Sequence, residues 1–145
     1  MSRRMFGLTL LAGFACAAAV ATPLAARAEV IDFKATLSAS TEVPPKNSTG
    51  TGDALASLDT ATKKLSYTVT YSGLTGPATM GHIHGPAAVG ANAGVVVPFA
   101  SPVTPIIGSV VLTDAQMADL MAGKYYVNIH TAANPAGEIR GQLVK

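Results

Sequence analysis

Hydrophobic and polar residues alternate along much of the chain beyond residue 30, which is the pattern of half-buried β-strands. In residues 65–71 the apolar side chains of one face are Leu65, Tyr67, Val69 and Tyr71. The segments that carry strand character are Val30–Leu37, Ala54–Leu58, Leu65–Tyr71, Ala78–His84, Val95–Val97, Ile106–Leu112, Tyr125–Thr131 and Glu138–Val144. Turn-forming residues separate these segments at short intervals, so the pattern predicts an all-β domain.

One segment departs from the two-residue period and predicts a short helix. Thr113 is a favourable N-cap, and Gln116 stands at the third helical position, as in a capping box. Gly123 is suited to end the helix. The apolar stripe of this helix consists of Met117, Leu120 and Met121. We assign these methionines to core packing.

The N-terminal segment has the features of a secretory signal peptide. Arg3 and Arg4 precede an apolar stretch, Phe6–Val20, and an Ala-x-Ala site follows at residues 26–28. A transmembrane anchor fits less well, because the apolar stretch is short and a cleavage site follows it. We therefore expect cleavage before Glu29, and the paired arginines leave both the general secretory route and twin-arginine export open.

Cleavage would divide the chain into a signal peptide, residues 1–28, and one domain, residues 29–145. It removes three of the ten basic residues and none of the eight acidic ones, which leaves a net charge of −1. A body without a basic stripe argues against nucleic acid and against a charged membrane surface as partners. The single cysteine, Cys16, lies in the signal peptide, so the domain is expected to have no disulfide and no thiolate ligand.

Candidate chemistry is confined to three histidines, His82, His84 and His130. Residues i and i+2 of a strand point the same way, so the first two share a face. The apolar alternation of Tyr125–Ile129 puts His130 on the outward face of its own strand. If the two strands are neighbours, three imidazoles converge there, and this set suits copper or zinc rather than magnesium or calcium. The alternative is that the histidines are solvated or hydrogen-bond nearby backbone.

Several neighbours of the histidines have two possible roles. Met80 shares the face of His82 and is either a soft ligand for Cu(I) or, as we prefer, a packing residue. Asn128, Glu138 and backbone carbonyls are the candidates to orient the rings. Glu138 and Arg140 share one face, and we expect a cross-strand or surface ion pair between them. No G-x-S-x-G, P-loop or H-E-x-x-H motif is present, so no catalytic residue is assigned.

Several blocks of sequence resemble the CHRD (chordin) domain, in its bacterial exported type. These blocks are Glu42–Pro45, Gly81–Gly85, Leu112–Gln116, Gly123–Thr131 and Asn134–Leu143. Together they extend from about Val30 to Leu143. The resemblance implies an extracytoplasmic domain, named after repeats in the secreted protein chordin. It implies no established reaction.

A second resemblance is to the copper-site strands of the Cu/Zn superoxide dismutases, which implies that His82, His84 and His130 are copper ligands. The family's bridging histidine, zinc loop and disulfide have no counterpart, and Glu138 stands near the expected position of the active-site arginine. These departures argue against rapid superoxide turnover, since a cationic guide for the anion is missing. The strand pattern and the resemblance agree on an antiparallel Greek-key β-sandwich or flattened barrel with one short helix.

Three functions follow from these observations. The preferred one is an exported CHRD domain protein, periplasmic or secreted, that binds a metal ion, with copper favoured, through the three histidines. The alternative is a non-catalytic module that binds a protein or polymer of the cell envelope and uses its histidines structurally. A copper redox enzyme is the least favoured. The oligomeric state stays open.

Overall fold

A computed structural model describes residues 28–145 of the chain. The predicted signal peptide, apart from its last residue, lies outside the described residues. The strands of the described part are β1 (Val30–Ser38), β2 (Thr51–Asp59), β3 (Lys64–Ser72), β4 (Ala78–His84), β5 (Val95–Pro98), β6 (Ile106–Val111), β7 (Tyr126–Thr131) and β8 (Ile139–Gln142). A short 3-10 turn, Ala39–Thr41, follows β1, and one α-helix, α1 (Asp114–Met121), lies between β6 and β7. The prediction of an all-β domain with one short helix is confirmed.

The eight strands of residues 28–145 form one antiparallel sheet in the order β5-β4-β7-β8-β1-β2-β3-β6. The connection from β3 to β4 links the strand next to one edge with the strand next to the other edge, and the connection from β5 to β6 joins the two edge strands. The sheet folds over on itself, because buried side chains of β1–β3 and of β4, β7 and β8 belong to one hydrophobic cluster. The predicted antiparallel β-sandwich is confirmed, with a nearly barrel-like closure.

The helix begins and ends where the sequence predicts. The Thr113 hydroxyl accepts a hydrogen bond from the backbone N–H of Gln116, and the Gln116 side chain accepts one from the backbone N–H of Thr113. Leu120 is fully buried, and Met117 and Met121 pack against the core. No helix within residues 28–145 is long and apolar enough to cross a membrane.

Strand β7 is buried on both of its faces, whereas β3 is buried on one. In β3 buried and exposed positions alternate, as predicted, but all six residues of β7 are buried. The outward face of β7 does point away from the core, yet it is covered by the segments 85–94 and 132–137. The backbone oxygens of Ala93 and Pro135 hydrogen-bond side chains on that face. His130 lies on the outward face of β7, as expected, and these loops exclude solvent from that face.

Gly81 lets a second segment approach β4 closely. A Cβ atom at this position would lie 2.7 Å from the Phe99 ring and 3.0 Å from Ile129. Any larger residue would therefore push the segment after β5 away from β4. A second chain segment thus lies close to β4 directly beside His82.

Candidate metal centre

The register of β4 and β7 brings the three histidines together. The two strands pair antiparallel, with His82 opposite Asn128 and Met80 opposite His130. One ring nitrogen from each of His82, His84 and His130 lies within 4.8 Å of the others. His130 is 6% exposed, whereas His82 and His84 are half-buried. The predicted convergence of the three imidazoles is confirmed, and their role as metal ligands stays a prediction.

A backbone carbonyl fixes the protonation of His84. Its Nδ1 lies 3.0 Å from the backbone oxygen of Ala93, which can only accept, so Nδ1 carries the proton and Nε2 carries the lone pair. This Nε2 is buried and has no hydrogen-bond partner among the described residues. A buried acceptor without a partner is unfavourable unless another group binds it.

His130 is held in the same way. Its Nδ1 lies 3.0 Å from the backbone oxygen of Pro135, so its Nε2 also carries a lone pair. That Nε2 lies 3.1 Å from Nδ1 of His82, so in the metal-free site it accepts a hydrogen bond from the His82 Nδ1–H. Two nitrogens bound to one ion at about 2.0–2.1 Å lie about 3 Å apart when they are neighbouring ligands. The spacing of His82 Nδ1 and His130 Nε2 therefore matches that of two neighbouring ligands of one ion, and His84 Nε2 is the candidate third ligand.

The surroundings keep all three rings neutral. Burial lowers the pKa of His82, and the neighbouring His130 and His84 rings lower it further. Burial is also the main cause of the lowered pKa values of His84 and His130. Only the neutral imidazole has a lone pair to offer, so the site is prepared for a ligand at neutral pH.

A three-layer stack packs against one side of the site. The Tyr126 ring lies parallel to His84, with an interplanar angle of 3° and ring centroids 5.0 Å apart. The guanidinium carbon of Arg140 lies 3.4 Å from the centroid of the Tyr126 ring. Arg140 also donates to the backbone oxygen of Ala91, and the backbone N–H of Ala93 donates to the Tyr126 hydroxyl. The stack thus fixes the His84 ring and the loop that covers it.

The expected ion pair between Glu138 and Arg140 is wrong. Both side chains are buried, and no ion pair of either one is found within residues 28–145. Glu138 instead accepts hydrogen bonds from Ser48, Thr75, Thr131 and Asn134. Burial opposes ionisation of Glu138, but the hydrogen bonds from Ser48, Thr131 and Thr75 outweigh it and lower the pKa to about 2. The carboxylate crosslinks three loops and does not touch a histidine.

Asn128 and Glu138, two of the three candidates for orienting the histidine rings, are engaged elsewhere. The Asn128 amide donates to the buried carboxyl of Glu42, whose pKa is raised chiefly by burial. The orientation of His84 and His130 comes from the third candidate, backbone carbonyls. Sequence reasoning missed Glu42 as a partner, because its contact depends on the path of a loop rather than on strand parity.

Met80 is placed differently from the packing position that we expected. It is 45% exposed and is not among the residues that pack against the core. The packing assignment is therefore wrong. In the strand register its partner on β7 is His130.

The fold and these contacts define a class of protein: a small antiparallel β-sandwich with three imidazoles gathered on a covered outer face. Residues 33–143 match the family model of the CHRD domain, and the chain belongs to this family. Domains of this family are generally extracellular. No curated protein and no solved structure matches the chain significantly.

Proposed function

We propose that this CHRD domain protein binds one copper ion through His82, His84 and His130, with Cu(II) favoured over Zn(II). The single observation that carries the proposal is the buried Nε2 of His84, which carries a lone pair and has no partner among the described residues. A purely structural histidine would place a donor there. Two further ring nitrogens lie beside it, as a nitrogen-ligated ion requires.

The choice of metal rests on the donor set. Three neutral imidazoles suit copper and zinc, and among divalent ions the affinity order puts Cu(II) highest for such a site. Magnesium and calcium prefer oxygen ligands, and no carboxylate oxygen belongs to the cluster found within residues 28–145. The chain's own contribution is orientation: the carbonyls of Ala93 and Pro135 hold two rings so that Nε2 carries the lone pair in each.

We also propose that the protein acts outside the cytoplasm, as a periplasmic or secreted protein. Residues 1–28 would be the signal peptide and residues 29–145 the mature domain. Intact-mass measurement of the exported form tests this, since cleavage should leave Glu29 at the N-terminus. A cytoplasmic protein that retains Met1–Ala28 would contradict the proposal.

A second candidate function is binding of an envelope protein or polymer without catalysis. The outer face of β2, β3 and β6 favours it, because Leu55 and Ile107 are large apolar side chains exposed there. Redox turnover receives no such support. The guanidinium beside the site, that of Arg140, is only 2% exposed and is stacked on Tyr126, so it offers no open guide for an anion.

Calorimetric titration of tag-free protein with Cu(II) and with Zn(II) tests the copper proposal. We expect one ion per chain, tighter binding of Cu(II), and loss of binding in His82→Ala, His84→Ala and His130→Ala. Ser66→Ala, on the exposed face of β3, is the matched control and should bind like the unchanged chain. Circular dichroism shows whether each variant is folded. Stoichiometric binding by the folded triple variant, or none by the unchanged chain, would overturn the proposal.

The pH dependence of the same titration is a second test of the three-histidine site. Protons compete with the ion for the ring nitrogens, and the pKa values of all three histidines are lowered from 6.5. Copper affinity should therefore stay constant as the pH falls to about 6.5 and decrease only below it. A decrease that begins above pH 7 would contradict a site made of these three rings.

A further inference from the structure

Met80 occupies the one strand position through which the site can gain a sulfur ligand. It precedes His82 by two residues on β4 and therefore shares its face. Its cross-strand partner on β7 is His130. Side chains paired in this way have Cβ atoms about 4.5–5.5 Å apart. A methionine side chain has three rotatable bonds, so its sulfur can move toward the three ring nitrogens.

The other methionines of the described region are placed differently. Met117 and Met121 pack against the core, as the stripe of α1 predicts. Met80 is 45% exposed and does not pack there. Burial of apolar surface thus accounts for the two helix methionines and leaves Met80 unexplained. Its distinguishing feature is its position beside three imidazoles.

The thioether has a definite chemical preference among copper ions. Sulfur of methionine is a soft donor and favours Cu(I), whereas imidazole binds both valences. Residues 28–145 contain no cysteine, so methionine is the only sulfur donor in the domain.

We propose that Met80 is a fourth copper ligand that binds when the ion is Cu(I), which makes the site competent to hold copper in both valences. This inference rests on the proposed three-histidine site. Cu(II) is held by the three nitrogens alone, and Cu(I) gains the Met80 sulfur at the half-exposed mouth of the cluster.

The test compares Met80→Leu with Met117→Leu, a matched control on α1. Cu(I) affinity is measured without oxygen by competition with a chromophoric Cu(I) chelator, and Cu(II) affinity is measured by calorimetry. We expect Met80→Leu to weaken Cu(I) binding at least tenfold and to change Cu(II) binding less than twofold. Met117→Leu should change neither. X-ray absorption of the Cu(I) form should show a sulfur scatterer in the unchanged chain and in Met117→Leu, and none in Met80→Leu.

The other possible outcomes distinguish a failure of the Met80 proposal from a failure of the three-histidine site. A nitrogen-only Cu(I) spectrum in the unchanged chain, or equal Cu(I) affinities of the unchanged chain and Met80→Leu, would overturn the role of Met80 and leave the three-histidine site standing. Failure of the unchanged chain to bind copper in either valence would instead overturn the three-histidine site. Because Met80 is exposed, its replacement by leucine should leave the fold intact.

Discussion

Strands β3 and β7 both lie inside the sheet, but only one of them has a solvent-exposed face. On β3 the buried Leu65, Tyr67 and Val69 alternate with more exposed polar residues. On β7 every residue is buried, because segments 85–94 and 132–137 lie over its outward face. Within residues 28–145 the same sheet therefore has an open half around β3 and a covered half around β7.

This difference in solvent exposure explains why the histidine cluster lies on the covered half. On an open face water satisfies the polar groups, so residues such as Ser66 need no protein partner. On the covered face each polar group depends on a nearby loop: His84 bonds Ala93, and His130 bonds Pro135. Covering the face thus fixes ring orientation, lowers the histidine pKa values by burial and leaves two buried acceptors of the described residues, His84 Nε2 and Asn128 Oδ1, without a partner. The open half supplies the scaffold that holds this arrangement.

The largest expected difference between the halves concerns two carboxylates. Glu138→Ala removes the acceptor that Ser48, Thr75, Thr131 and Asn134 share. Asp53→Ala, on the open face of β2, removes an exposed carboxylate that accepts from Thr36. We expect Glu138→Ala to lower the free energy of unfolding by about 4 kcal/mol, since four side chains lose their hydrogen bonds to one buried carboxylate. Asp53→Ala should change it by less than about 0.5 kcal/mol. Urea unfolding measures both, and equal costs would contradict the contrast between the halves.

A somewhat smaller effect is expected from acid. The pKa of Glu138 is lowered from 4.5 to about 2 in the folded chain, so the unfolded chain binds the proton first. Its stabilising contribution is therefore complete above about pH 4.5 and is lost as the pH falls toward about 2. The loss should amount to about 3 kcal/mol. Urea unfolding across this range should show a shallower decline in Glu138→Gln than in the unchanged chain. Identical pH profiles of the two proteins would show that the carboxylate is not ionised in the fold.

Most of the structure of the open half could be predicted from the sequence, because the alternation of apolar and polar residues determines which side chains are buried. Alternation places the buried residues of β3, and local hydrogen bonds between Thr113 and Gln116 define the start of the helix. The same parity rule placed His82 and His84 on one face. It also gave His130 the correct side of β7, although the neighbouring position of β4 and β7 was an assumption until the register was known.

The covered half could not be predicted to the same depth. Partners there come from loops that are distant in sequence, as in the contact of Glu42 with Asn128 and the placement of Arg140 over Tyr126. No periodicity encodes such contacts. The sequence therefore predicted the candidate ligands but assigned the wrong partners to Glu138 and Arg140. The wrong packing role of Met80 has a different cause: parity placed it on the face of His82, but parity does not show whether an apolar residue on that face is covered.

The smallest expected change in stability comes from comparing two polar residues that both point away from the core, one on β7 and one on β3. Asn128 of β7 and Ser66 of β3 both point away from the core, but only Asn128 is buried. Its amide donates to the buried carboxyl of Glu42, so Asn128→Ala leaves that carboxyl with one partner fewer. The loss is partly offset, because the Asn128 side-chain oxygen has no partner of its own within residues 28–145.

We therefore expect Asn128→Ala to lower the free energy of unfolding by about 2 kcal/mol, less than Glu138→Ala. Ser66→Ala should change it by less than about 0.5 kcal/mol, because water replaces the hydroxyl at an exposed site. Urea unfolding at neutral pH measures both variants. If Asn128→Ala leaves the free energy of unfolding unchanged, the loop-covered face of β7 does not contribute to stability in this way. If Ser66→Ala lowers it by as much as Asn128→Ala, the face of β3 that carries Ser66 is not solvent-exposed.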